Sequence, residues 1–229
     1  MSDSEIPTTP AYERLRTELR EAELFSSAAA VLSWDQETLL PPRGTALRAE
    51  QIALLSGAAH ERRTAPALLD ALSECEADPA LTADARVAAN LRELRRDVDR
   101  LSRLPSSLVR EVAETTTLAQ QAWRDARERS DYGSFAPWLE RVVRLSRAKA
   151  ECYGATTATE LYDQLMEDYE PGMRSAEVER VFSALRPRLV PLIREVAAAG
   201  SRPESRFHRT AIPIPQQQAF NPNPARAVG

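Results

Sequence analysis

Apolar residues recur every three or four positions from Tyr12 to Val196, with polar and charged residues filling the gaps. That period marks amphipathic helices. Thr9-Pro10 supplies a capping hydroxyl and a proline at the first helical position, so a first helix is expected through Tyr12, Leu15, Leu19, Ala22 and Phe25 to about Leu32. Pro41-Pro42 interrupts the chain, and Thr45 can cap a second helix carrying Leu47, Leu54, Leu55 and Ala58. Pro66 opens a short helix through Leu68, Leu69, Leu72 and Cys75, and Asp78-Pro79 breaks the chain before Thr82 caps the next.

In that next helix Val87, Leu91, Leu94, Val98 and Leu101 alternate steps of four and three, a seam that packs on a partner. Pro105 ends it. A helix from Ser107 to Arg129 follows, then another from Phe135 to Cys152 that Gly154 can close in a left-handed cap. Their short connection makes them antiparallel neighbours. Leu161 to Asp168 reads as a shorter helix, Pro171-Gly172 as a turn, and Ser175 as the cap of a last helix in which Pro187 and Pro191 predict a kink or break. From Gly200 the Gln216-Gln217-Gln218 run and the Asn221-Pro222-Asn223-Pro224 repeat predict a tail without helix or fixed structure.

Composition narrows this to an all-α antiparallel bundle of seven or eight helices over residues 1–199, with a Pro-rich tail over 200–229. Only 7 of the 229 residues are Gly and 6% are aromatic, which disfavours a sheet protein built on tight turns. The net charge of -4 comes from acidic and basic residues that alternate, so no nucleic-acid footprint is expected. Glu93, Arg96, Asp97 and Arg100 read as a solvated helix face. No leader pattern and no stretch near the roughly 18 apolar residues of a membrane span is present, so a soluble, cytoplasmic chain with no membrane partner is expected. Cys75 and Cys152 then read as reduced thiols.

Three kinds of chemistry can be sought. A helical zinc site needs two His one turn apart beside a Glu, but the chain has only His60 and His208. His60-Glu61 starts such a motif and Thr64 stands where the second ligand is required. His60 therefore reads as a solvated or capping residue. Neither cysteine has a His in local reach, and no G-x-S-x-G or Gly-rich phosphate loop occurs. Asp163 and Glu167 share a helix face, a spacing that allows one raised carboxyl pKa and acid catalysis, set against the commoner cap or ion pair.

Several stretches resemble one family. Ser33-Trp34-Asp35-Gln36-Glu37-Thr38, Pro41-Pro42 and Arg48-Ala49-Glu50-Gln51 are similar to the amino-terminal signature of the Taq-type zinc carboxypeptidases. Leu104-Pro105, Trp123-Arg124, Phe135-Ala136-Pro137, Tyr162-Asp163 and Asp168-Tyr169-Glu170-Pro171-Gly172-Met173 follow in the same order. The resemblance implies removal of single residues from peptide carboxyl ends, usually by a homodimer, with zinc on an H-E-x-x-H helix and a downstream Glu. That motif is not in this sequence, so no catalytic or metal residue is assigned and no cofactor is expected in this chain. A peptide substrate is expected only when the zinc-bearing half is supplied. Trp34, Asp35, Gln36 and Glu37, with Asp168, Tyr169, Glu170, Pro171 and Gly172, are the candidates for structural elements or groove walls.

Overall fold

The computed structural model describes residues 9–154, 160–200 and 210–221. The described residues are helical without a strand, as the period demands. They form α1 (Pro10–Thr38), α2 (Thr45–Arg63), α3 (Pro66–Ala77), α4 (Pro79–Thr82), α5 (Ala85–Leu101), α6 (Ser106–Arg129), α7 (Tyr132–Cys152), α8 (Leu161–Met166), α9 (Ser175–Ala198) and α10 (Ile214–Phe220), with a 3-10 turn at Pro42–Gly44. Packing divides the chain after Ser175 into two compact units.

The first unit is built on a dry core. Leu15 of α1, Leu68 and Leu72 of α3, Leu81 of α4, and Val87, Leu91 and Val98 of α5 are all buried together with Cys75. The predicted α5 seam is thus the one that packs. Burial first, then the charges of Glu74 and Asp78, pushes the Cys75 thiol up and away from reactivity. Both cysteines are free. Alongside, α1 packs on α2, α2 on α6, and α6 on α7. At Gly57, in the middle of α2, an added Cβ would lie 2.2 Å from Nε and 2.8 Å from Cγ of Arg110, so glycine is what lets the α6 side chain cross here.

Local signals are answered in several places by neighbouring residues. α1 runs to Thr38 and not Leu32, which makes Ser33–Thr38 its last turns. Thr45 is already helical and its hydroxyl donates to Pro42 O at 3.0 Å, so it closes the 3-10 turn and does not cap α2. The cap of α5 is Asp84, whose carboxylate accepts from the Arg86 and Val87 N–H groups. Its side-chain bond to Arg86 leads in holding that carboxyl at about 2. Asp78 caps the one-turn α4, which contains Thr82. α7 ends as foreseen, with Gly154 at φ +89.

In the second unit α9 continues past both prolines. Each removes one backbone donor, and because they are four residues apart the lost bonds fall on one side of the helix. The tail was expected to exclude helix, yet α10 spans the Gln216–Gln218 run. Pro215 sits in its first turn, where an N–H has no helical partner anyway. Gln217 Nε2 also donates to Ile212 O at 2.7 Å. The Pro222-Asn223-Pro224 part of the repeat and His208 lie outside the described residues.

Candidate functional site

The Trp34–Glu37 block is the carboxyl end of α1, and helical geometry sends its four side chains in different directions. Trp34 is 61% exposed. Asp35 pairs with Arg48 of α2 at 2.7 Å. Gln36 is buried and its Nε2 donates to Thr117 O of α6 at 3.2 Å, while Arg124 donates to Gln36 O at 3.2 Å. Glu37 accepts from Gln120 of α6 at 2.8 Å. The block therefore locks α1 to α2 and α6 and leaves one indole outside.

The Asp168–Gly172 block is held by other helices. Asp168 accepts from Arg100 of α5 at 2.8 Å and from Lys149 of α7 at 2.7 Å. Burial pushes its carboxyl up, but the bonds from Lys149 and Arg100 outweigh this and hold it below the ordinary range. Arg100 also donates to Gln164 O at 2.8 Å and lies 3.9 Å from the ring centre of buried Tyr153. Arg100, expected on a solvated face, is instead half-buried, because Gln164 of α8 and Asp168 just after it supply acceptors. Tyr169 and Glu170 turn outward, Pro171 and Gly172 make the turn, and Gly172 adopts φ +80, where a side chain is strained.

Asp163 is not set up as an acid. It is buried, its Oδ1 accepts from the Ser175 N–H at 2.7 Å, and the Ser175 bonds lower its pKa. It anchors Ser175, the last residue of the first unit. Glu167 accepts from the Gly172 N–H at 2.8 Å and closes the turn.

A third feature escaped the sequence reading. His60 is buried, only 6% exposed, and not solvated, with Nε2 2.9 Å from Leu104 O. It lines a cavity of about 430 Å³ between α1, α2, α5, α6 and α7, with Ser26, Ser56, Arg63, Lys149 and Tyr153. The remaining walls are Ala29, Ala59, Leu101, Leu104, Leu108, Val109 and Val112. No acidic residue is among them. The signal available in sequence was the pairing of His60 with Arg63 and of Lys149 with Tyr153 at one-turn spacing, which reads equally well as an outer face.

The family model described as Carboxypeptidase Taq (M32) metallopeptidase matches residues 14–229. This chain belongs to that family. It is 34% identical over 219 residues to thermostable carboxypeptidase 1 of Thermus thermophilus, covering 92% of this chain and 43% of that protein. The M32 carboxypeptidase structure from Deinococcus radiodurans R1 superposes with a TM-score of 0.75 at 29% identity, over 94% of this chain and 42% of that one. The BsuCP crystal structure shares the fold, with a TM-score of 0.85 at 23% identity, over 96% of this chain and 43% of that one. The chain thus spans less than half the length of these relatives.

Membership of a metallopeptidase family raises the question of a metal centre. Among the described residues no group of three or more His, Cys, Asp or Glu is placed to hold a metal ion, so these side chains do not fit one. Among them also, no helix is long and apolar enough to cross a membrane.

Proposed function

We propose that this chain supplies the amino-terminal helical part of a zinc carboxypeptidase that releases single residues from peptide carboxyl ends, and that it does not cleave peptides alone. The family match along residues 14–229, in a sequence with two histidines and no H-E-x-x-H, carries this reading. The family chemistry needs zinc-bound water and a motif Glu. No residue here is given either role. The chain's own contribution is a scaffold: Gln36, Asp35 and Asp168 fix the helices, and Trp34 and Tyr169 offer exposed rings as walls of a peptide groove. The place of action is the cytoplasm.

The test is release of the carboxyl-terminal amino acid from an amino-blocked peptide by the purified chain with zinc or cobalt added. No release is expected from the chain alone, and release is expected when the zinc-bearing half of a relative is supplied. Chelator-sensitive release by the chain alone, with host peptidase excluded, overturns the proposal.

One observation favours a second reading, a non-catalytic helical module that pairs with a partner or a full-length relative. Within its own unit α9 leaves Phe182, Leu185, Leu189 and Ile193 exposed, an apolar stripe at helical spacing. Light scattering that shows a monodisperse, protease-resistant monomer counts against this module.

A further inference from the structure

The apolar stripe on α9 has an order of its own. Val178, Phe182, Leu185, Leu189, Leu192 and Val196 alternate steps of four and three along the helix, the spacing of a coiled-coil seam. Val178 is partly buried, and the other five are 40 to 67% exposed. The stripe also reads alike in both directions. Val178 and Val196, Val181 and Ile193, Phe182 and Leu192, and Leu185 and Leu189 stand at equal distances on either side of Pro187. At 3.6 residues per turn Pro187 and Pro191 fall on the side of the helix away from the seam, so the backbone bonds they remove are lost there. A helix whose bonds open on its outer side curves around whatever its inner side faces.

The area is enough for a partner of the same kind. With Val181 and Ile193, the exposed side chains leave roughly 600 Å² of apolar surface on α9, so two copies face to face cover about 1,200 Å², the lower edge of a specific interface.

We infer that α9 pairs with α9 of a second copy of this chain, antiparallel, about a two-fold axis at the level of Pro187; the inference rests on the reading of α9 as a pairing surface. Leu185 of each copy then packs on Leu189 of the other, Phe182 on Leu192, and Val178 on Val196, and each layer occurs twice, as a two-fold interface requires. Val181 of one copy and Ile193 of the other flank the Phe182 layer on its two sides. Arg186 and Arg188 lie on either side of the seam, and each comes next to its own counterpart near the axis. A parallel copy would instead set Val181 against Arg186 and Ile193 against Arg188, an apolar residue beside a charge on both flanks. The facing arginines repel, and salt screens that repulsion.

The experiment is sedimentation equilibrium of the purified chain at about 0.05 and about 0.5 M NaCl. A monomer–dimer equilibrium with a Kd of about 10 μM is expected, at least about threefold tighter at the higher salt. Leu185→Glu, at a side chain exposed in the single copy, should weaken pairing at least about tenfold. The direction of pairing is read by native mass spectrometry of an equal mixture of the unaltered chain with the Arg186→Glu, Arg188→Glu double variant. Antiparallel pairing sets Arg against Glu at the axis, so mixed dimers should exceed the statistical half. A statistical mixture overturns the antiparallel arrangement, and a Leu185→Glu chain that dimerises unchanged overturns the seam. A chain that stays monomeric but binds the zinc-bearing half or a full-length relative overturns the second copy as occupant and keeps α9 as a pairing surface. One that stays monomeric and binds neither overturns both.

Discussion

The two ends of α5 lie in opposite surroundings. Near its start Val87 and Leu91 enter a core of leucine, valine and alanine with almost no exposed surface. At its finish Leu101 faces a cavity, and Arg100 reaches Asp168 and Tyr153. Close packing at the first end makes stability depend on the volume of each side chain. At the second end position depends on whether charges find partners, and volume is left over. One helix thus joins a part that resists change to a part with room for a ligand.

The sharpest way to break this contrast is Leu72→Ala, in the filled core. A fully buried leucine there should cost about 2 to 5 kcal/mol, read from the midpoint of urea unfolding at unchanged slope. Asp168→Asn acts on the other end and should cost about 2 kcal/mol, the value of hydrogen bonds to a charged group. Its sign with pH follows from the depressed folded-state pKa of Asp168. The contribution is complete above the unfolded carboxylate value of about 4 and is lost as pH falls through the lower folded value. The gap between the two proteins should therefore close in acid, which pH-dependent unfolding curves will show. The finest comparison adds one methylene at each end. Val87→Leu in the core should cost about 1 to 3 kcal/mol, and Val109→Leu at the cavity less than about 1 kcal/mol, compared by thermal unfolding.

Much of the first end was legible in the sequence. The four-and-three steps of Val87, Leu91, Leu94 and Val98 name the buried face of α5, and Pro66 and Gly154 mark boundaries that hold. Caps were harder, because Thr45, Thr82 and Asp84 all carry suitable oxygens and only the backbone path selects Asp84. The tail misled because a proline in the first turn of α10 starts a helix where the composition speaks against one. The second end was hidden for a different reason. His60, Arg63, Arg100 and Lys149 look like a solvated face until five helices from distant parts of the chain close around them. Trp34, Asp35, Gln36 and Glu37 were found as a unit only through family resemblance, and their separate tasks come from the rotation of α1.

Gly57 carries a lesson for anyone engineering this chain for heat resistance. Replacing a glycine inside a helix by alanine is a standard stiffening step that usually adds about 0.4 to 1 kcal/mol. At position 57 the new methyl would meet the stem of Arg110, so the benefit can be collected only after the arginine has been moved or shortened. Its partner Glu61 would then lose the cation that now crosses the gap. A thermostabilised version must treat these three residues as a single design unit.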